Sequence, residues 1–590
     1  MVGFAKQALA RMKRWFRLHI ILAMQLITLG MCSPTAVHAA DVYVVVHEKT
    51  RGFFTSNGGS HDLLSNRWRD GLARIGQPVQ SASLAQLSKV NQPGVLILPS
   101  VFLLDDADRG QIKSLVASGW SILGTWATGS RDGAGGWLGY GFIEETFGAK
   151  IVADFDTRKS DGWFLLPDGE SPVSFGLAAG ERIYIPKISE PILTVTGAGV
   201  VARGGEWTRQ SALLGVDRSG LVHLAEQGAS RRVYWSFPET AWDASREQFD
   251  TLLRNSLSWL AREPTIVKSA WPHPYQAAYL VEMDTEDQFQ NATHLAELFE
   301  ARQWTGTFYV LTSLAINHPD VVKRLASKHE IGYHAEVHDG FKGLPIAAQE
   351  ERLKNMVAQL GTVLPNSRSL TGFRAPLESF DANTEIALRR LGFTHHVSSP
   401  DSRSSLLPGF STAEQGLSPD KALVVLPRTQ LDDVNFVRMG LSDEVKMQKL
   451  LIEGASESIR MRGLGMLSVH TQYFGKNAPL TKAMNGFFDF LAASKAWVAS
   501  SLQIEEWWRQ RERVVLTSTS SAKAITFKLQ NDGAAVRNFK LVLMAPSVSA
   551  NPKLIGPAST QAVIQRLDNL RWAIVFNQLK QGTQQLTVQF

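Results

Sequence analysis

Residues 329–338 read HEIGYHAEVH, and this stretch does most to decide the fold and the chemistry. Its first part, Glu330 to Tyr333, has the composition of a short buried strand, and two histidines follow, His334 and His338. If the chain turned into a helix after His334, the four-residue spacing would place both imidazoles on one face, where they can share a divalent metal ion. Two histidines at this spacing also occur by chance, so the surrounding sequence has to decide.

The stretch lies within a long alternation of strand-like and helix-like segments that runs over residues 275–512. Seven or eight such β/α units favour a barrel, because parallel strands need helices over their outer face. The active site of such a barrel lies at the carboxyl ends of its strands. The first predicted units comprise strands at 277–284 and 306–311 and helices at 292–303 and 319–328.

Residues 41–263 are predicted to form a separate α/β domain. Apolar strands at 41–46, 94–100 and 120–126 alternate with helices, which is typical of a flavodoxin-like parallel sheet, and the chain becomes strand-rich after Gly148. The closing YWSF strand and the helix ending in LSWLARE resemble glutamine-amidotransferase-like domains fused to sugar-active enzymes. Those domains need a catalytic cysteine that is absent here, so an accessory or binding role is expected and a glutaminase activity is disfavoured.

The chain beyond the barrel divides into a linker and a terminal module. Residues 264–274 contain Pro264, Pro272 and Pro274, which favours a linker between the first two domains. From residue 514 to residue 590 the apolar residues recur with period two, as in ITFKLQN and TQQLTVQF. This pattern predicts a small β-sandwich of the kind appended to extracellular enzymes.

Residues 1–40 have the features of a secretory signal peptide. Basic residues precede an apolar run from Ile20 to Met31, and small residues before Asp41 offer a cleavage site. The alternative, a retained membrane anchor, is disfavoured because a spanning helix needs roughly 20 apolar residues. Cleavage would remove Cys32, the only cysteine, and with it any disulfide, thiolate ligand or cysteine nucleophile. A periplasmic or secreted bacterial protein is therefore expected.

The charge distribution excludes one class of partner. The formal net charge is +6, but residues 1–40 contain five of the 61 basic residues and none of the 55 acidic ones. The mature chain is therefore nearly neutral, which argues against nucleic acid as a ligand. We expect no stable membrane span after cleavage, and the sequence indicates no protein partner.

Residues 275–508 resemble the polysaccharide deacetylases of the NodB-homology family, carbohydrate esterase family 4. HEIGYHxxxH is close to the family motif HEIGNH(S/T)xxH, and residues 372–393, GFRAPLESFDANTEIALRRLGF, resemble its RxPxG segment with the helix and LGF that follow. The resemblance implies a NodB-type (β/α) barrel. It also implies metal-dependent removal of N-acetyl groups from an amino-sugar polymer, with exopolysaccharide and peptidoglycan as alternative substrates.

Hydrolysis of an acetamide requires a nucleophilic water, a Lewis acid, a base for the water and an acid for the leaving amine. By the resemblance, Asp284 at the end of the first barrel strand is the general base. The carboxylate ligand of the metal is Asp287, with Glu286 as the alternative, because the usual pair of adjacent aspartates is absent. His334 and His338 complete a set of two histidines and one carboxylate, which suits Zn²⁺ first.

The remaining catalytic roles come from the later motifs. Arg374 is expected to hold the base carboxylate, His470 to protonate the leaving nitrogen, and Asp401 to orient His470. Three departures accompany them: Ser468 stands where leucine is expected, Ala335 replaces a Ser or Thr, and the tryptophan that usually accompanies the aspartate is missing. Two other functions therefore stay open, an O-acetyl esterase using the same site and an inactive carbohydrate-binding or assembly factor.

Overall fold

A computed structural model describes residues 40–159, 162–167, 171–206, 220–398, 405–556 and 561–590. The predicted signal peptide therefore lies, except for its last residue, outside the described residues. Within the described ranges no helix combines the length and the apolar character needed to cross a bilayer. The structure comprises a mixed sheet with helices, a parallel sheet with helices that carries the two histidines, and two small antiparallel sheets.

The first domain is built on a sheet whose described part has 11 strands. The strands are β1 (Val42–Val45), β2 (Gln80–Ala82), β3 (Val95–Leu98), β4 (Ser121–Thr125), β5 (Lys150–Phe155), β6 (Trp163–Pro167), β7 (Ile183–Ile185), β8 (Ile192–Thr196), β9 (Val200–Glu206), β10 (Gly220–Gln227) and β11 (Ser230–Trp235). The helices are α1 (Glu48–Ser56), α2 (His61–Arg74), α3 (Leu84–Leu87), α4 (Asp106–Ala117), α5 (Gly141–Phe147) and α6 (Arg246–Leu260).

Only half of this sheet is parallel, whereas the sequence predicts a flavodoxin-like parallel sheet. Strands β2, β1, β3, β4 and β11 pair in parallel. Beyond β11 the pairs β11–β10, β10–β9, β9–β6 and β6–β7 are antiparallel. For β11–β10 the reason is the length of the connection, because these strands are joined by a two-residue turn and a parallel crossover needs a dozen residues or more.

The fully buried side chain of Glu239 lies at the carboxyl ends of β3 and β4. Glu239 accepts hydrogen bonds from Trp68 Nε1 at 2.9 Å, Ser100 Oγ at 2.7 Å and Thr125 Oγ1 at 2.7 Å. Its side chain and those of the three donors have 0% relative exposure. A buried carboxylate is tolerated when its oxygens accept such bonds, so Glu239 ties a helix and two strands together.

The second domain carries the parallel sheet. Its strands are β13 (Ala278–Thr285), β14 (Thr307–Leu311), β15 (Glu330–Ala335), β16 (Gly372–Arg374), β17 (His395–Ser398), β18 (Gly409–Phe410), β19 (Val424–Pro427), β20 (Leu464–His470) and β21 (Trp497–Val498). Its helices are α7 (Ala292–Glu300), α8 (Thr312–Ala315), α9 (Pro319–Ala326), α10 (Ile346–Leu360), α11 (Ala382–Arg390), α12 (Asp433–Arg438), α13 (Glu444–Arg460), α14 (Pro479–Ala493) and α15 (Ser501–Arg513).

The strand order is β18-β19-β17-β16-β15-β14-β13-β20, with β21 also paired to β13. All pairs are parallel except β18–β19. Within the described residues the hydrogen-bonded ladder does not return from β20 to β18, so the predicted barrel is open at that seam. All eight residues of β13 are buried, as expected for a parallel strand covered on both faces. The ends of β13, β15, β16 and β20 therefore lie at one edge.

Side-chain caps define where several helices of this domain begin. Asp381 caps α11 through Thr384 N, and Ser500 caps α15 through Gln503 N, each in a reciprocal capping box. Asp432 caps α12 in the same way through Asn435. Each such cap is worth about 1 kcal/mol. The capping at Asp432 sets the start of α12, a short helix that matters for the site below.

The third domain consists of two four-stranded antiparallel sheets whose apolar faces share one core. One sheet has the order β12-β24-β27-β26 and the other β22-β23-β28-β25. The strands are β12 (Thr265–Lys268), β22 (Val514–Ser521), β23 (Ala524–Asn531), β24 (Val536–Met544), β25 (Lys553–Ile555), β26 (Val563–Arg566), β27 (Arg571–Leu579) and β28 (Gly582–Gln589). β12 lies in the predicted linker. Its TIVK sequence pairs with residues 541–544 of β24, so this linker segment completes the terminal sheet.

Candidate active site

Two histidines and one carboxylate meet at the carboxyl edge of the parallel sheet. Glu286 follows β13 directly, and its Oε1 lies 2.9 Å from His338 Nε2 and 3.4 Å from His334 Nε2. One potential ligand atom from each of the three residues lies within 4.8 Å of the others. The donor set is the one that zinc and related transition metals take in hydrolases.

The backbone brings the histidines together without the helix that their spacing suggests. His334 lies on β15, and His338 lies in a bend that follows the strand. At Ala335 the backbone has a φ of +150°, and the register with β14 shifts between Val310 and Leu311. This irregularity ends the strand and turns the chain back toward the sheet edge. The prediction of a shared helix face is therefore wrong, although both rings do face one point.

The surroundings of His334 fit a metal ligand. Its Nδ1 lies 2.9 Å from the carbonyl oxygen of Arg374, which accepts a hydrogen bond from that N–H group. The tautomer that results leaves the lone pair of Nε2 free, and this buried atom has no hydrogen-bond partner in the described part of the chain. A backbone carbonyl that orients the ring in this way is the usual second partner of a metal-bound histidine.

Glu286 takes the position that the sequence assigns first to Asp287. Asp287 is exposed in the turn after β13, and no group of potential ligands in the described residues includes it. Side chains two residues apart point to the same side of a strand, so Glu286 continues the face of Asp284 while Asp287 points away. Gln472 Nε2 donates to Glu286 Oε2 at 2.7 Å, which leaves Oε1 for the histidines.

Asp284 and Arg374 form a buried ion pair beside this group. Arg374 Nε donates to Asp284 Oδ2 at 2.8 Å, and the two residues have 4% and 2% relative exposure. Burial acts to raise the pKa of Asp284, but the charge of Arg374, aided by the neighbouring imidazole groups, outweighs it and holds the pKa below its ordinary value. Asp284 is therefore ionised at neutral pH, and its Oδ1 has no hydrogen-bond partner among the described residues.

His470 ends β20 opposite Asp284 and is held by an aspartate on α12. Asp433 Oδ1 lies 2.7 Å from His470 Nδ1, and Asp433 Oδ2 accepts the backbone N–H of His470 at 2.6 Å. The free Nε2 lies 3.6 Å from Asp284 Oδ2. Burial acts to lower the pKa of His470, but Asp433, Asp284 and Glu286 raise it to about 10. His470 is therefore a protonated imidazolium at neutral pH.

The carboxylate that holds His470 belongs to Asp433, whereas Asp401, which the sequence favours for this role, lies outside the described residues. Asp433 was not predicted, because position in a motif, which favours Asp401, does not identify it. Two signals could have found it: Asp433 follows strand β19, and the DDVN sequence is a capping box that starts a helix at that strand end. An acid at the first turn of a helix above a parallel sheet faces the active-site edge.

One protein-family model matches part of this domain. The family model named polysaccharide deacetylase matches residues 283–396. The chain contains a polysaccharide deacetylase domain. The matched span includes Asp284, Glu286, both histidines and Arg374, whereas Asp433 and His470 follow it in the chain. No curated protein matches the chain.

Several solved structures are similar to parts of the chain or to most of it. A putative polysaccharide deacetylase from Mycobacterium smegmatis has 22% identity and a TM-score of 0.37, and the match covers 41% of this chain and 93% of that one. Agd3, a carbohydrate deacetylase, has 10% identity and a TM-score of 0.41, with 93% and 98% covered. A family CE4 pseudoenzyme from Bacillus anthracis has 11% identity and a TM-score of 0.29, with 40% and 66% covered.

The site of this deacetylase domain opens into a cleft of about 340 Å³. Beyond the residues above, the cleft is lined by Ala375, Leu377, Glu378, Arg428, Asp432, Val434, Asn435, Arg438 and Gln472. Leu377 and Glu378 have φ values of +58° and +53° and form the rim next to Arg374. Strain of this kind at two consecutive residues is typical of ligand-binding rims. Leu377 is 70% exposed, so its apolar side chain is available to a ligand in the cleft.

Proposed function

We propose that this protein is an exported, metal-dependent hydrolase that removes N-acetyl groups from an amino-sugar polysaccharide. The observation that carries the proposal is the meeting, in one cleft, of three kinds of group. These are a potential metal set (Glu286, His334, His338), an ionised carboxylate held by an arginine (Asp284, Arg374) and an imidazolium held by an aspartate (His470, Asp433). Metal-assisted hydrolysis of an amide uses all three.

Asp284 is the general base of the proposed reaction. Its Oδ2 is held by Arg374, and its Oδ1 is available to take a proton from a water molecule. The water oxygen then bonds to the acetyl carbon. A divalent metal held by Glu286, His334 and His338 would supply Lewis acidity toward the acetyl group. Because Arg374 favours the carboxylate form, the base is ready over a wide pH range.

His470 is the general acid. Its Nε2 faces the cleft while Nδ1 is held by Asp433, so the proton at Nε2 can pass to the amide nitrogen. Breakage of the C–N bond then releases acetate and leaves a free amine on the sugar. The high pKa of His470 keeps this proton in place at neutral pH, and the negative charges around it stabilise the imidazolium until the amine leaves.

The substrate and the location of the protein are further parts of the proposal. The apolar rim residue Leu377 and the polar side chains Asn435 and Arg438 suit a sugar unit, with the rest of the chain outside the cleft. Exopolysaccharide and peptidoglycan both present such units. The signal-like residues 1–40 support export to the periplasm or beyond. The first domain, in which Glu239 fills the carboxyl ends of β3 and β4, would serve as an accessory domain.

The test is acetate release by residues 41–590 from N-acetylglucosamine oligomers, with the metal removed by a chelator and then restored. We expect release that depends on the metal and is lost in Asp284→Asn and His334→Ala. Asp287→Asn is the matched control, because Asp287 is exposed outside the site and should keep most of the activity. O-acetylated oligomers in a parallel assay separate an esterase from an amidase. A folded, metal-loaded protein that releases acetate from neither substrate would refute the proposal.

A further inference from the structure

A second polar row lies directly beneath the proposed catalytic residues. Glu282 and Asp284 are two residues apart on β13 and therefore point to the same face of the sheet. On the neighbouring strand β20, Ser468 is the register partner of Glu282 and His470 is the partner of Asp284. The inner face thus carries Asp284 and His470 at its edge and Glu282 and Ser468 one step deeper.

Glu282 is fully buried and lies within ion-pair distance of the same arginine as Asp284. Its relative exposure is 0%, as is that of Ser468. Ser468 Oγ donates a short hydrogen bond to Glu282 Oε1. Arg374 Nε lies 3.1 Å from this same oxygen and 2.8 Å from Asp284 Oδ2. Arg374 Nε therefore donates its hydrogen bond to Asp284 and lies close to a second carboxyl group on the same strand.

This arrangement costs free energy that a purely structural role does not require. Removing a carboxyl group from water costs several kcal/mol unless its oxygens are fully bonded. Glu282 Oε2 is buried without a hydrogen-bond partner among the described residues. An apolar side chain at position 282 would pack inside a parallel strand without this cost. What Glu282 alone supplies is a second anchor for the guanidinium group.

That anchor fixes the direction from which Arg374 approaches Asp284. The guanidinium is planar and rigid, so two carboxyl groups close to Nε, one that accepts its hydrogen bond and one in ion-pair contact, restrict its tilt as well as its position. Glu378 lies farther away, at 3.6 Å from Arg374 Nη2, and restrains the opposite end only loosely. The carbonyl oxygen of Arg374 also orients His334, so the placement of this residue affects both the base and the metal set.

We propose that Glu282, held by Ser468, is a positioning residue that keeps Arg374 aligned on the general base Asp284. This inference rests on the proposed function, because it assigns Asp284 the role of base. Glu282 itself lies beneath the site and touches no reacting atom. Its contribution is to preserve the geometry in which Asp284 Oδ2 is occupied and Asp284 Oδ1 is left to take the proton.

Three variants and one matched control test this assignment. Glu282→Leu removes the anchor, Glu282→Gln keeps an acceptor for both Ser468 and Arg374, and Ser468→Ala removes only the hydroxyl that holds Glu282. The control is Glu330→Gln, a substitution of another buried glutamate, on β15, whose carboxylate bonds to Ser501 and Leu502 N away from the cleft. The measurements are kcat and KM for acetate release, metal content, and crystal structures of wild type and variants.

For Glu282→Leu we expect kcat to fall by about 10- to 100-fold, the effect typical of residues that orient a site group, with KM and metal content within about twofold of wild type. Glu282→Gln should keep kcat within about threefold. The kcat of Ser468→Ala should lie between those of Glu282→Leu and Glu282→Gln. The kcat of Glu330→Gln should equal that of wild type, even if this variant is less stable. In the crystal structure of Glu282→Leu, the hydrogen bond from Arg374 Nε to Asp284 Oδ2 should be lost.

Either of two results would overturn the inference. The first is a folded Glu282→Leu protein with wild-type kcat, or with a loss no larger than that of the control. The second is a crystal structure in which Arg374 keeps its bond to Asp284 without Glu282. If Glu282→Leu does not fold, Ser468→Ala decides, since an unchanged kcat there also overturns it. Absence of activity in wild type would instead refute the proposed function, and the position of Arg374 would still decide the inference.

Discussion

Replacing Asp433 by asparagine should move the alkaline limit of activity without removing activity at acidic pH. Burial works against the imidazolium of His470, and Asp433 is the main group that offsets it, at 2.7 Å from Nδ1. The substitution keeps the shape of the side chain but removes its charge. We expect the pKa of His470 to fall from about 10 toward or below its ordinary value of 6.5.

The size of the effect follows from the protonated fraction of the general acid. A histidine raised above its ordinary pKa is protonated below that pKa and loses the proton as pH rises through it. At pH 8 wild-type His470 is almost fully protonated, whereas a histidine with a pKa of 6.5 is only about 3% protonated. The expected loss in kcat is therefore about 30-fold at pH 8 and within about twofold at pH 5.5.

The assay is acetate release as a function of pH from 5.5 to 10, with metal content measured at each end. Asp432→Asn is the matched control. Asp432 caps α12 and pairs with Arg428 but makes no contact with His470, and asparagine is also a good N-cap. The alkaline pH at which the activity of Asp432→Asn falls should be the same as for wild type. An Asp433→Asn enzyme whose loss is the same at pH 5.5 and pH 8 would refute the assignment of His470 as an acid tuned by Asp433.

Three further predictions concern the metal set, the buried ion pair and the first domain. Glu286→Ala should bind zinc at least about tenfold more weakly than wild type while Asp287→Ala retains it, as measured by mass spectrometry of metal content after dialysis; equal retention in both would contradict the ligand assignment. Arg374→Met should leave Asp284 and Glu282 without their cation and lower the free energy of unfolding by about 3–5 kcal/mol, which urea denaturation measures. Glu239→Ala should lower the stability of the first domain by about 3 kcal/mol, because three buried donors lose their acceptor, and leave kcat unchanged; a fall in kcat would show that this domain contributes to the site.

Local sequence signals were sufficient for most of the elements around the site. The strands β13, β14 and β15 and the helices α7 and α9 lie within a few residues of the ranges that the sequence pattern predicts. The parallel order explains why Asp284, His334 and Arg374 meet, since each stands at or near the carboxyl end of its strand. The helix proposed after His334 was wrong for a local reason. A β-bulge at Ala335 achieves the same convergence, and spacing alone does not distinguish it from a helix.

The errors at the ends of the second domain have another origin. The TIVK segment before β13 looks like linker because its pairing partner, β24, lies more than 270 residues later in the chain. The prediction of a closed barrel failed at the seam between β18 and β20 for a similar reason, since the number of β/α units does not determine whether the two edge strands pair. Pairing between distant strands is decided by packing, which a local pattern does not contain.

The sequence by itself determined which residues reach the active-site edge of the sheet, because the alternation of side chains along a strand is a local property and the repeated β/α units of this domain predict parallel strands. It thereby placed Asp284, His334, Arg374 and His470 at one edge. The tertiary structure decided which groups touch there. Asp433 meets His470 across 37 residues, and Ser468 meets Glu282 across 186. Such contacts follow from strand register and burial in the folded sheet. The folded structure also places the carboxylate of Glu286, and not that of Asp287, next to the two histidines.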